Sequence, residues 1–300
     1  IAEEVTIKGE HKKRPDLVLY VNGIAMGVIE LKRSSVSVTE GIRQNLDNQK
    51  KDFIRNFFTT IQLVMAGNDS EGIRYGVIET PEKYFLEWKE NVENPYSNLL
   101  DYHMSLICSK SRFLQLIHDF IVFDSGIKKT CRHNQFFGVE AAQRKIAEGE
   151  GGVIWHTQGS GKSLTMTFLT GLIARDKSLN NPTVIVVTDR KDLDGQLFTT
   201  FDASKEYLRQ EPVRIEDKND LISQLSGKKY GGVIFSTIQK FLPKEKNSKM
   251  ELLSDRTNII IMADEAHRSQ YDMLDGFAAH LNDAFPNASF IGFTGTPIEK

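Results

Sequence analysis

The chain has 300 residues, 40% hydrophobic and 26% charged, which is ordinary globular material with room for about two domains. With 38 Lys+Arg against 40 Asp+Glu the net charge is −2, so no global basic field advertises nucleic acid and any DNA contact must come from local patches. Two cysteines, Cys108 and Cys131, exclude a disulfide framework and a four-cysteine zinc site, and no apolar run approaches the roughly 20 residues of a membrane span. The expectation is a cytoplasmic, reducing setting without membrane contact. The first residue is Ile1 and no signal-peptide pattern follows, so the start is expected to be trimmed.

In chain order, Leu17 to Val21 is β-rich, Asn22-Gly23 is a hairpin turn signal, and Ala25 to Leu31 is apolar again. This predicts strand, turn, strand over 15–32. A helix is expected over about 39–57, then a strand at 60–66 before the Gly67-Asn68-Asp69-Ser70 turn cluster, then another at 75–78. From about 80 to 129, helix-like segments broken by Pro81 and Pro95 read as a connector. Beyond it, strands at 152–155, 183–188, 232–236, 258–263 and 289–294 alternate with helical stretches. Several of these are continuous apolar runs, as in a parallel sheet covered on both faces, and 163–174 makes a crossover helix.

The strongest chemical signal is Trp155-His-Thr-Gln-Gly-Ser-Gly-Lys-Ser163, where a strand ends, a glycine loop turns and a helix starts. Gly159 and Gly161 let backbone N–H groups, with Gln158 and Ser160 between and before them, converge on phosphate oxygens. Lys162 would reach the β- and γ-phosphates of ATP, and the Ser163 hydroxyl would ligate Mg²⁺. The strict pattern has Gly where His156 stands, and His156 reads as a packed loop residue. A second half-site follows in Ile259-Ile-Ile-Met-Ala-Asp-Glu-Ala-His267, an apolar strand ending in two carboxylates. Asp264 would hold Mg²⁺ and Glu265 would polarise the attacking water.

Earlier, Arg14-Pro15-Asp16 opens one strand and Ile29-Glu30-Leu31-Lys32 closes its hairpin partner. Glu30 and Lys32 share a face because side chains alternate along a strand, and Asp16 can meet them across the hairpin. Two carboxylates beside a lysine make a hard-oxygen Mg²⁺ site, with Asp16 and Glu30 as ligands and Lys32 placing water or neutralising developing charge.

Together these motifs resemble known families. Asp264-Glu265-Ala266-His267 is similar to motif II of superfamily 2 helicases and translocases, of the DEAH-box kind, and Thr294-Gly295-Thr296-Pro297 resembles their motif III. Thr188-Asp189-Arg190-Lys191-Asp192-Leu193 resembles motif Ia and Phe235-Ser236-Thr237-Ile238-Gln239-Lys240 the neighbouring Ib region. The resemblance implies DNA-backbone contact at Arg190, Lys191 and Thr237, and coupling through Thr294, Gly295 and Thr296. Gln135, upstream of the phosphate loop, lies where the adenine-reading Q-motif does. Pro15-Asp16 with Glu30-Leu31-Lys32 resembles the PD-(D/E)xK nuclease core. RecB-type nucleases add a helix glutamine with Tyr four places on. Gln49 matches, with Phe53 in place of Tyr, and Gln44 competes for the role.

A PD-(D/E)xK domain N-terminal to a superfamily 2 motor resembles the R (HsdR-like) subunits of type I restriction enzymes. The fold class implied is α/β: a nuclease-like mixed-sheet domain at 1–95, a helical connector at 96–130, and a RecA-like P-loop domain with a mainly parallel sheet at 131–300. Motor domain 2 is absent from this chain, and ATP turnover is expected only where the chain continues past Lys300. The resemblance implies ATP and Mg²⁺ as cofactors, with S-adenosylmethionine only in partner methyltransferase subunits. It also implies double-stranded DNA and modification and specificity subunits as partners, in a bacterial or archaeal cytoplasm. Two alternatives stay open: a single-chain restriction-modification enzyme, and a non-cleaving DNA translocase or remodeller.

Overall fold

The computed structural model describes residues 1–157, 159–188, 191–227, 231–241, 250–265 and 274–295. The chain divides into two units, Ile1–His133 and Asn134–Lys300.

In the first unit, β2 (Leu17–Val21) and β3 (Ile24–Leu31) form the expected antiparallel hairpin. Asn22 and Gly23 both take positive φ, 50° and 81°, as a two-residue primed turn requires. β3 then pairs in parallel with β4 (Leu63–Asn68), and α1 (Val38–Asn48) lies in the crossover that parallel pairing demands. β5 (Gly72–Gly76) returns antiparallel to β4. With β1 (Ala2–Glu3) and β6 (Leu86–Glu87) at the edges, the sheet order is β1-β2-β3-β4-β5-β6.

Ser37 caps α1, its hydroxyl accepting from the Thr39 N–H at 3.3 Å. Val38 and Ile42 pack with Ala66 of β4. The helix is shorter than the expected 39–57. Its apolar spacing lapses after Leu46, the Ile54 N–H bonds back to the Asn48 carbonyl at 3.2 Å, and the chain leaves through a 3₁₀ turn at Arg55–Thr59.

The stretch 96–130 belongs to this unit rather than standing apart as a connector. Its helices α2 (Leu99–Ile107) and α3 (Lys110–Asp119) precede a hairpin of β7 (Ile121–Asp124) and β8 (Ile127–Thr130). His103 of α2 is the clamp: its Nδ1 accepts the Ile73 N–H at 3.0 Å. Gly72 leaves room for the ring, since a Cβ there would lie 2.2 Å from Nδ1. The hairpin turns at Ser125 and Gly126, both with positive φ, a short-range signal present in the sequence.

The second unit is built on a parallel sheet in the order β11-β12-β10-β13-β14-β9. These strands are β9 (Gly152–Trp155), β10 (Thr183–Thr188), β11 (Val213–Arg214), β12 (Val233–Thr237), β13 (Ile259–Ala263) and β14 (Ser289–Thr294). Every residue of β10 is buried, which is why it reads as an unbroken apolar run between two threonines. β9 departs from that expectation. It ends the described sheet with β14 as its neighbour, and Val153 and Trp155 are 54% and 57% exposed.

Candidate functional site

In the first unit, the β2–β3 register sets Leu17 opposite Ile29, which brings Asp16 beside Glu30. Asp16 Oδ2 accepts the Leu31 N–H at 2.7 Å, which sets its carboxyl near that of Glu30. Glu30 is buried on the central strand. Burial first, and then the charge of Asp16, push its carboxyl up to about 8, against the opposing pull of Lys32 and Lys13.

Helix α1 completes the cluster. Gln44 donates from Nε2 to Glu30 Oε2 at 2.8 Å, and its Oε1 accepts from Lys32 Nζ at 2.6 Å. Asn48, one turn further along the same helix face, donates to Glu30 Oε1 at 3.2 Å. This reach depends on Gly41. A Cβ there would lie 3.0 Å from Ala66 Cβ and 3.3 Å from the Glu30 carbonyl oxygen, tight enough that a larger residue would push the helix or its neighbours back by a few tenths of an ångström.

Gln49, the glutamine expected at the site, is placed elsewhere. Its Oε1 accepts the Glu79 N–H at 2.7 Å, tying down the turn after β5. It follows Asn48 by one residue, about 100° around the helix, so the two cannot share a face. Beyond it, Lys50 pairs with Asp47 and Arg55 with Glu79.

Among the described residues no three His, Cys, Asp or Glu side chains converge as a metal cage. Asp16 and Glu30 nevertheless supply two hard-oxygen donors, and their mutual repulsion is part of what raises Glu30. A hard cation held between them relieves that repulsion, so the residues fit Mg²⁺.

In the second unit, β9 ends at Trp155 and α5 (Lys162–Arg175) begins beyond a loop. Gly159 and Gly161 take φ of 77° and 90°, a conformation side-chain-bearing residues rarely adopt. Gln135, on α4 (His133–Ala147), donates from Nε2 to the Gly161 carbonyl at 2.9 Å, and a Cβ at 161 would lie 2.7 Å from that nitrogen. The amide thus grips the loop backbone, where the resemblance implied an adenine edge. His156 is buried and bonds on both sides, Nε2 to the Asn134 carbonyl and Nδ1 to the Thr165 hydroxyl, each at 3.3 Å. Burial pushes its pKa down, so it is a neutral brace between α4 and α5.

Lys162 ion-pairs with Glu265 and lies 3.5 Å from Asp264 Oδ1. Strand order explains this meeting of residues a hundred positions apart. β13 delivers Asp264 from its tip, and between β13 and β9 stands only β14. The last residue of β14, Thr294, pairs with Trp155, and its carbonyl accepts the His156 N–H at 2.9 Å. Asp264 is pushed up by burial, with Lys162 opposing, and accepts the Glu265 N–H at 2.9 Å. Glu265 itself sits at φ 53°. Two carboxylates, an ammonium and a helix N-terminus around one loop suit a nucleotide phosphate chain with its Mg²⁺.

Ser163 lies in the first turn of α5, and Ser160 is buried in the loop. Thr237 is buried at the end of β12, paired with Thr188, and Gly295 directly follows β14. Lys191 opens a helix at Lys191–Ala203. Gln158, Arg190 and Thr296 lie outside the described residues, as do Ala266 and His267.

A mixed-sheet carboxylate–lysine unit followed by a parallel-sheet phosphate-loop unit is the architecture of a nuclease-like α/β domain followed by a RecA-like ATPase domain. Residues 134–300 match the SWI2/SNF2 ATPase family, residues 1–83 match the type I restriction enzyme R protein N terminus, and the chain belongs to this HsdR-like family. It is 38% identical to the type I restriction enzyme HindI endonuclease subunit of Haemophilus influenzae, over 98% of this chain and 30% of that one. It is 34% identical to the putative type I restriction enzyme MjaIXP endonuclease subunit of Methanocaldococcus jannaschii, over 96% and 30%. The chain therefore spans about 30% of the length of these relatives. Among solved structures, the UvsW helicase from bacteriophage T4 aligns with 63% of this chain and 60% of that chain, at 16% identity and TM-score 0.42.

Proposed function

We propose that this chain carries the cutting domain and the first motor half of a type I restriction R subunit. Its work is ATP-driven translocation of duplex DNA coupled to Mg²⁺-dependent cleavage. The observation that carries the reading is the convergence of Asp16, Glu30, Lys32 and Gln44 in one unit, with Lys162, Asp264 and Glu265 converging in the other.

At the cutting site, Asp16 and Glu30 would hold Mg²⁺, which would supply Lewis-acid polarisation of the scissile phosphate. Lys32 places a positive charge where the phosphate gains negative charge, and Gln44 holds that ammonium and the Glu30 carboxylate at a fixed separation. Asn48 secures the second Glu30 oxygen, so the carboxylate cannot rotate away.

At the motor site, Lys162 exchanges its carboxylate partners for the β- and γ-phosphates, and Ser163 and Asp264 would hold the accompanying Mg²⁺. Glu265, released from Lys162, orients the attacking water in line with the β–γ bond. Thr294, bonded to the start of the phosphate loop, passes the nucleotide state to the DNA-contacting residues Arg190, Lys191 and Thr237, the last of which closes β12. The DNA contacts are to backbone phosphates and sequence-independent, so target choice belongs to modification and specificity subunits. Assembly with those subunits takes place in the cytoplasm.

The test is separation of activities in the R subunit assembled with its partners. Lys162→Ala should abolish ATP hydrolysis and translocation. Asp16→Ala or Glu30→Ala should keep both and lose cleavage. Normal cleavage in both carboxylate variants overturns the nuclease assignment.

A further inference from the structure

The 8–13 loop of the first unit carries charge that the carboxylate cluster does not consume. Ile7 and Lys13 exchange two backbone hydrogen bonds, at 2.9 and 3.1 Å, and close the loop between them. Gly9 seats it on the segment that follows α1: a Cβ there would lie 2.0 Å from the Phe53 carbonyl oxygen. The Lys13 ammonium stands 4.2 Å above the Phe53 ring, and the His11 ring packs beside it at 5.7 Å. The loop is therefore fixed in place.

Between loop and segment runs a groove of about 450 Å³, lined by Lys8, Glu10, Lys51 and Arg55 among others. Many cations of this unit end on a carboxylate: Arg14 on Glu4, Arg43 on Glu40 and Glu82, Lys50 on Asp47, Arg55 on Glu79. Among the described residues, Lys8, Lys12, Lys13 and Lys51 make no ion pair within 4.0 Å. Lys13, over the Phe53 ring of the groove wall, also bears electrostatically on Glu30.

Lys8 and Lys51 both line the groove and neither ends on a carboxylate, so they repel one another instead of stabilising the fold. They suit a polyanion whose charges are spaced along a strand. We propose that the 8–13 loop and Lys51 form a phosphate rail that guides a DNA strand into the Glu30 cluster. The rail rests on the nuclease reading above, since the destination it serves is the cutting site.

The experiment uses the R subunit assembled with its partners, measuring duplex-DNA affinity against salt without nucleotide and cleavage with ATP present. In the double variant Lys8→Gln, Lys51→Gln, the slope of log affinity against log salt should become shallower by about 1.8, or ~0.9 for each lost phosphate contact. Glu10→Gln should tighten binding, a gain that a misfolded variant would not show. An unchanged slope in the double variant together with unchanged affinity in Glu10→Gln overturns the rail. Asp16→Ala separates the two readings: it should retain the full slope while losing cleavage. Persistent cleavage in Asp16→Ala, with a shallower slope in the lysine variant, removes the nuclease reading and leaves the binding surface standing.

Discussion

The Gln44 side chain bridges to Glu30 at 2.8 Å while its other end receives the Lys32 ammonium at 2.6 Å, so one amide spans the acid and the ammonium of the cluster. Without it, Lys32 is free to collapse directly onto Glu30 and neither group keeps its separation. Gln44→Ala should therefore lower cleavage by about 10- to 100-fold, the usual consequence of losing a group that orients ligands, with ATP hydrolysis unchanged. Gln49→Ala should cost about 1 kcal/mol of stability through the lost bond to the Glu79 N–H, with cleavage per folded molecule retained. Parallel cleavage assays and denaturant melts on the two variants check this contrast.

Glu30 dictates a pH dependence of definite sign. Its carboxyl is raised in the folded chain from 4.5 to about 8. The stability it contributes is fully present below the unfolded value and is lost as pH rises through about 8. Metal-free protein should melt at falling temperature over that window, and Glu30→Gln should flatten the profile. Mg²⁺ needs the ionised carboxylate, so its binding releases a proton and it should raise the melting temperature more at about pH 8 than at about pH 6. Melting curves at both pH values, with and without Mg²⁺, decide the sign.

Gly41 controls how closely α1 approaches the sheet. A branched side chain there meets Ala66 and the Glu30 backbone. Gly41→Val should destabilise the first unit by about 1–3 kcal/mol through overpacking. It should also pull Gln44 and Asn48 off Glu30 together, so cleavage falls further than in Gln44→Ala. Chemical denaturation followed by cleavage at matched folded fraction tests both.

Gly161 is constrained twice, by its φ of 90° and by the Gln135 nitrogen that a Cβ would meet at 2.7 Å. Gly161→Ala should displace the phosphate loop and weaken nucleotide binding about tenfold or more, the equivalent of the 1–2 kcal/mol that left-handed backbone costs an L-residue. Gln135→Ala, which removes the steric conflict and the bond to the Gly161 carbonyl together, should partly relieve that loss in the double variant. Titration with a fluorescent ATP analogue reads both effects.

Much of this molecule is written in short-range pattern. The Asn22-Gly23 turn, the alternation that sets Glu30 and Lys32 on one face, the glycine loop before Lys162 and the acidic tip at Asp264 and Glu265 each lie within a single strand, turn or helix start. Local sterics and side-chain periodicity are enough to specify them. Composition and these motifs also sufficed to anticipate the R-type family.

Other features required the folded chain. Whether Gln44 or Gln49 faces the carboxylates depends on which side of α1 the sheet covers, and that is settled by Gly41 against Ala66. The docking of 96–130 turns on His103 finding the Ile73 N–H thirty residues away. The grip of Gln135 on Gly161 and the seat of Thr294 between the two halves of the motor site follow from strand order, which joins β9 to β14 across the chain. Such pairings are chosen by burial and backbone hydrogen bonding among distant segments, and nothing in a local window encodes which segments will meet.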